Sequence, residues 1–80
     1  MTHVLVVDDS EVDRQLAGKL LERNGRFHVE FASNGLEAIE HLDERIPLAI
    51  VTDLLMPEMD GLDLVAQVYR RFPNIPVVHQ

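Results

Sequence analysis

The 80-residue sequence contains no cysteine, so neither a disulfide framework nor a thiolate metal site can form within it. Basic residues are also few: 7 Lys and Arg stand against 14 Asp and Glu, which gives a net charge of -7. That balance argues against nucleic-acid binding by this segment, because phosphate backbones need a basic face, and it argues against binding to an anionic membrane surface. It suits instead a cation, or a partner protein that carries a basic patch.

Long apolar runs are absent as well. The N-terminal run at residues 4–7 stops at two acids, so it is neither a signal peptide nor a membrane span, which needs about 20 apolar residues. The sequence therefore predicts no membrane association and a cytoplasmic location. Apolar residues make up 46% of the chain, which is typical of one small globular domain and argues against disorder.

Short β-branched apolar runs alternate with segments of helical periodicity. The predicted strands are residues 4–7, 27–31, 48–51 and 76–78, and the predicted helices follow Ser10, Asn34-Gly35 and Gly61. The third helix is expected to bury Leu62, Val65, Val68, Tyr69 and Phe72 in the core. This alternation predicts an α/β fold in which βαβ units with right-handed crossovers build a parallel sheet.

Acidic residues follow two of the predicted strands at the point where each strand ends. Asp8 and Asp9 come directly after the first strand, and Asp53 follows the third. If these strands are neighbours, about 4.8 Å apart, three carboxylates meet at the edge where open parallel sheets bind ligands. Three oxygen donors without a nearby His or Cys suit Mg²⁺, which offsets the repulsion among the acids. An Asp beside Mg²⁺ can also act as a nucleophile towards phosphorus.

Simpler roles remain open for the same residues. Asp53 alone could start a turn, where Asp is common. Asp8 and Asp9 could instead interact with the positive N-terminus of the first helix, which is the role that we favour for Glu11 and Asp13.

The four histidines show no spacing that is typical of a metal site. We interpret His3, His28 and His41 as solvated residues of strands or helices. His79 is interpreted as a strand residue near the mouth of the acidic site.

Two stretches together resemble the receiver domain of two-component response regulators. VLVVDDS at residues 4–10 places an acidic pair after the first strand, and TDLLMPEMDG at residues 52–61 places a lone Asp after the third. In the second stretch Met-Pro follows that Asp by three and four residues, and Gly follows it by eight. The resemblance extends over residues 2–80. It implies a flavodoxin-like doubly wound parallel sheet, here truncated after the fourth strand.

The resemblance implies that Asp53 is the phosphoacceptor of a signalling module. The phosphoryl group would come from a sensor histidine kinase or a phosphotransfer protein. Asp8 and Asp9 would hold Mg²⁺ together with Asp53 and the backbone carbonyl of Leu55.

The same resemblance gives the loop after Asp53 a role. Met56 and Pro57 are expected to fix the loop that aims the Leu55 carbonyl, and Gly61 to let the chain turn into the third helix. The implied protein is a self-phosphorylating acceptor and no turnover enzyme. Two alternatives are a non-phosphorylated receiver-like interaction or dimerisation module, and a Mg²⁺-dependent phosphotransferase or phosphatase on a small substrate. The second alternative lacks a glycine-rich phosphate loop.

The resemblance also predicts that residues 1–80 form a single receiver domain that is incomplete at its C-terminal end. The family has a Ser or Thr after the fourth strand and a Lys after the fifth, and both would lie beyond Gln80. The fourth strand would then expose an unpaired edge, which predicts self-association by edge pairing or strand exchange. A monomer in sedimentation at micromolar concentration would count against this expectation. The alternative is that the sequence is part of a longer protein.

Overall fold

The computed structural model describes residues 2–23, 25–52 and 61–79. Within these residues, strands and helices alternate along the chain. They are β1 (Thr2–Val7), α1 (Glu11–Glu22), β2 (Phe27–Ala32), α2 (Gly35–Glu44), β3 (Ala49–Thr52), α3 (Gly61–Arg71) and β4 (Val77–His79). This order confirms the predicted β-α-β-α-β-α-β architecture. None of the described helices is long and apolar enough to cross a membrane.

The strands form one parallel sheet in the order β2-β1-β3-β4. Because β1 pairs with β2 on one side and with β3 on the other, the strand order reverses between β1 and β3. Val7 lies opposite both Ala32 of β2 and Thr52 of β3, which aligns the carboxyl ends of three strands. The first and third strands are therefore neighbours, which is the condition for the acidic segments to meet, and the fold is flavodoxin-like.

One face of the sheet carries the main core, which α2 and α3 cover. Leu5 and Ile50 pair across β1 and β3 and are 2% and 0% exposed. Leu42 of α2 and Leu64 and Val68 of α3 belong to the same buried cluster. The opposite face of β1 is buried as well, which explains why β1 is a continuous apolar run in the sequence.

α1 lies against β1 and β2 and begins where the sequence predicts. The Ser10 hydroxyl caps the helix by accepting the Asp13 backbone N–H at 3.3 Å. Gly18 is buried in the middle of α1, and a Cβ at this position would lie 2.6 Å from the Phe31 ring. A glycine is therefore needed for α1 to approach β2 with this ring in place.

The prediction that Tyr69 belongs to the core is wrong, because Tyr69 is 62% exposed. The buried stripe of α3 runs through Leu64 and Val68, and Tyr69, one residue further, points about 100° away from Val68 around the helix. Val65 and Phe72 are half-buried at the margins of the stripe, and the side chain of Leu62 lies outside the described part.

Several other apolar side chains are more exposed than periodicity suggests. They are Val12, Leu16 and Leu20 of α1, Phe31 of β2, and Leu48, which precedes the start of β3. β4 lies at one end of the described sheet, and Val78 on it is more than half exposed. Self-association through this strand stays a prediction.

Candidate functional site

The acidic pair lies at the strand reversal. Asp8 follows the last residue of β1, and its backbone N–H donates to the Ala32 carbonyl of β2 at 3.1 Å. Val7, directly before Asp8, lies opposite Thr52. Thr52 ends β3 and immediately precedes Asp53 in the sequence.

Four residues that the sequence assigns to the site lie outside the described residues: Asp53, Leu55, Met56 and Pro57. Gly61 is the first residue of α3, which agrees with its predicted place at the entry of that helix. Its role in the loop stays a prediction.

Asp8 is held in a fixed position, whereas Asp9 is exposed. Asp8 is 1% exposed, and its Oδ1 accepts the Ser10 backbone N–H at 2.9 Å. The Arg14 guanidinium donates to the backbone carbonyl of Asp8 at 2.6 Å. Sequence reasoning missed Arg14, because a lone Arg in a helix gives no signal of the carbonyl that its side chain reaches.

The chemistry of this pair fits a hard cation. Mg²⁺ takes oxygen ligands, uses one or two carboxylates and keeps several waters, which a buried Asp8 beside a solvent-exposed Asp9 can accommodate. Among residues 2–23, 25–52 and 61–79, no three His, Cys, Asp or Glu side chains are grouped so that they could hold a metal ion. Asp53 and Leu55, which the resemblance assigns as further donors, lie outside these residues.

The loop after β2 reaches the same edge of the sheet and is held by its own hydrogen bonds. The Glu37 carboxylate accepts the Ser33 backbone N–H at 3.1 Å and the Ser33 hydroxyl at 2.7 Å. Asn34 caps α2 by accepting the Glu37 backbone N–H at 2.9 Å. The hydrogen bond from the Ser33 hydroxyl lowers the pKa of Glu37. This carboxylate therefore helps to hold the first turn of α2.

An open pocket of about 410 Å³ along α2 is lined by Glu37, Glu40, His41 and Glu44.

A second group of titratable side chains surrounds Glu30 of β2. It lies on the face of the sheet that α2 covers, nearer the start of β1 than the acidic pair. His3, His41 and Arg45 lie 3.7, 4.0 and 3.8 Å from the Glu30 carboxylate. The His28 ring makes an edge-to-face contact with His3 at a centroid distance of 5.1 Å. His28 is exposed, whereas His3 and His41 are half-buried, so the latter two are solvated only in part. The residues come from β1, β2 and the end of α2, and no local sequence signal could have grouped them.

We expect the fold to lose stability in mild acid because of His3. Burial, and then the Arg45 guanidinium, lower the pKa of the His3 imidazole from its ordinary 6.5. Protonation therefore costs more in the folded chain than in the unfolded one, and stability that is complete above pH 6.5 is lost as the pH falls below it. The lowered pKa of Glu37 acts in the same direction, but only below its ordinary 4.5.

Thermal unfolding midpoints between about pH 7.5 and 5 measure the effect, because His is the side chain that titrates in this window. His3→Asn is expected to flatten the decline of the midpoint with falling pH. His28→Asn makes the same substitution at the exposed histidine beside His3, and it is expected to keep most of the decline of the midpoint. Parallel profiles for wild type and His3→Asn would contradict the role of His3.

Known proteins with a similar sequence and fold share one type of domain. A family model described as the response regulator receiver domain matches residues 4–79. The protein-glutamate methylesterase/protein-glutamine glutaminase 3 of Rhodospirillum rubrum is 44% identical over 78 residues, which cover 98% of this chain and 21% of that protein. The chemotaxis protein CheY of Listeria monocytogenes is 36% identical over 78 residues, which cover 98% of this chain and 66% of that protein.

A solved structure shows the same arrangement of elements. The N-terminal domain of a response regulator receiver protein from Methanoculleus marisnigri JR1 matches with a TM-score of 0.90 and 30% identity. The match covers 99% of this chain and 65% of that chain. The present chain thus spans about a fifth of the Rhodospirillum relative and slightly less than two thirds of the Listeria relative.

Proposed function

Because the chain belongs to the response regulator receiver domain family, we propose that Asp53 accepts a phosphoryl group from the phosphohistidine of a histidine kinase or phosphotransfer protein. The observation that carries the proposal is the register of the sheet. Val7 lies opposite Thr52, so the segments that begin with Asp8-Asp9 and with Asp53 start at neighbouring strand ends. Receiver domains are signalling modules and not turnover enzymes, which is consistent with a single acceptor residue.

Mg²⁺ is the proposed cofactor, held by Asp8, Asp9, Asp53 and the backbone carbonyl of Leu55. Bound there, it would offset the negative charge of the acids and of the phosphoryl oxygens. The burial of Asp8 and its bond from the Ser10 N–H fix one donor before any cation arrives. Exposed Asp9 leaves room for the waters that Mg²⁺ retains.

In the transfer itself, the Asp53 carboxylate is the nucleophile. One carboxylate oxygen forms a bond to phosphorus while the bond between phosphorus and the imidazole nitrogen of the donor breaks. The donor imidazole takes up a proton and leaves as the neutral base. Positioning and electrostatic stabilisation supply most of the catalysis in reactions of this class.

In the proposal, residues that follow Asp53 in the sequence shape the metal site. Met56 and Pro57 fix the loop that aims the Leu55 carbonyl, and Gly61 lets the chain enter α3. We place the module in the cytoplasm and assign this segment no contact with nucleic acid or membrane, in keeping with its net charge of -7.

Intact-mass measurement after incubation with a small acyl phosphate and Mg²⁺ tests the proposal. Wild-type protein is expected to gain one phosphate, since one carboxylate acts as acceptor. Asp53→Asn is expected to gain none, because an amide oxygen is too weak a nucleophile, and a metal chelator is expected to prevent labelling of the wild type.

Asp13→Asn provides the matched control, since Asp13 is an exposed acid in the first turn of α1. This variant should be labelled like the wild type. An adduct that persists in Asp53→Asn would assign the acceptor elsewhere. No adduct on a folded wild-type chain would favour the non-phosphorylated interaction module.

A further inference from the structure

Arg14 reaches back from α1 to the end of β1. Its guanidinium donates to the Asp8 backbone carbonyl at 2.6 Å, in a partly buried position. The side chain also lines an open pocket of about 260 Å³ with Glu11, Gln15 and Phe31. Since this space is open, close packing does not force the guanidinium against the carbonyl, and the contact is a specific polar interaction.

The carbonyl that Arg14 binds belongs to the peptide that links Asp8 to Asp9. A peptide unit is planar, so fixing its carbonyl also fixes the direction in which the chain enters Asp9. The same turn is held at two further points. Asp8 Oδ1 accepts the Ser10 N–H, and the Ser10 carbonyl accepts the Arg14 backbone N–H, each at 2.9 Å. Arg14 thus holds the turn through both its backbone and its side chain.

We propose that Arg14 is a positioning residue for the acidic pair, because its bond to the Asp8 carbonyl orients the peptide that presents Asp8 and Asp9 to a bound cation. The inference rests on the proposed role of these two acids in holding Mg²⁺. Asp9 depends on this orientation more than Asp8 does, because Asp8 is buried and held by Ser10 whereas Asp9 is exposed.

Arg14 has two opposing effects on cation binding: its bond to the Asp8 carbonyl orients the acidic pair, and its positive charge repels the cation. A guanidinium near the acidic pair repels a divalent cation, so removal of Arg14 relieves repulsion and loosens the turn at once. Salt reduces the repulsion, since the Debye length at roughly 1 M salt is about 3 Å. Mg²⁺ affinity at high salt therefore reports more on orientation than the affinity at low salt does.

Calorimetric titration with Mg²⁺ alone, at low salt and at roughly 1 M salt, tests the inference. Arg14→Met keeps much of the apolar stem but loses the charge and the donor, and at high salt it is expected to bind Mg²⁺ about tenfold more weakly. Arg14→Lys keeps the charge and a donor and is expected to restore most of the affinity. Gln15→Met, at the next and exposed helix position, is expected to bind like the wild type.

Hydrogen exchange at the Ser10 amide gives a second readout without metal. Exchange is expected to be faster in Arg14→Met than in Gln15→Met, with urea unfolding as the check that both variants are folded. Arg14→Gln, which is too short to reach the carbonyl, replaces Arg14→Met if the latter does not fold. Unchanged Mg²⁺ affinity at high salt, or unchanged Ser10 exchange, would overturn the role of Arg14 alone. Wild-type protein that binds no Mg²⁺ would overturn both this role and the proposed metal site.

Discussion

Ile50→Ala is expected to lower the free energy of unfolding by about 2–5 kcal/mol. Ile50 is 0% exposed and belongs to the buried cluster between the sheet, α2 and α3. It is paired on both sides, with Leu5 of β1 and Val77 of β4, so the strands cannot close around the cavity that alanine leaves. A domain of this length has only about 4–12 kcal/mol in total, and the variant should therefore lose much of its resistance to urea.

Ile46→Ala removes the same atoms from a side chain that is 57% exposed. It is expected to change the free energy of unfolding by less than about 0.5 kcal/mol. Urea unfolding followed by circular dichroism measures both variants. Equal losses at the two positions would contradict the assignment of the core to the face that α2 and α3 cover.

Asp8→Asn is expected to change metal binding and stability in opposite directions. Mg²⁺ affinity should fall by at least about tenfold, because an amide replaces a charged ligand. The free energy of unfolding should rise by about 0.5–2 kcal/mol. Asparagine keeps the oxygen that accepts the Ser10 N–H, but it removes a negative charge that is 1% exposed and adjacent to Asp9. Opposite signs are typical of a residue retained for function at a cost in stability.

Asp9→Asn is the matched comparison, because Asp9 is exposed. It is expected to weaken Mg²⁺ binding as well, while leaving the free energy of unfolding nearly unchanged. Calorimetric titration and urea unfolding give the two quantities for each variant. A less stable Asp8→Asn with unchanged Mg²⁺ affinity would make Asp8 a structural acid at the start of α1.

The order of the elements could be predicted because strands and helices space their apolar residues differently along the sequence. Continuous apolar residues mark β1 and β3, and Ser10 and Asn34 cap α1 and α2, the helices that follow β1 and β2. Which side of an element is covered could not be predicted in the same way. Periodicity shows that α3 has an apolar side, but it does not show that Tyr69 lies outside the buried stripe.

The placement of the acidic pair could also be predicted, since parallel strands end at a common edge. Asp8 needs only its position after β1 and the pairing of β1 with β3 to be located. Arg14 and the group around Glu30 depend on long side chains that meet across elements. His3 and Arg45, for example, are 42 residues apart in the sequence, and their contact follows from the packing of α2 on the sheet.

The most direct test of the proposed metal site is to locate a bound metal by NMR. Mn²⁺ takes the same oxygen ligands as Mg²⁺, and its unpaired electrons broaden the signals of nearby amides. At low Mn²⁺ we predict the strongest broadening at Asp8, Asp9 and Thr52, and weaker broadening at Glu40 of the α2 pocket and at His3. Broadening centred on Glu40 or His3, with the signals at the ends of β1 and β3 intact, would contradict a Mg²⁺ site at the carboxyl edge of the sheet.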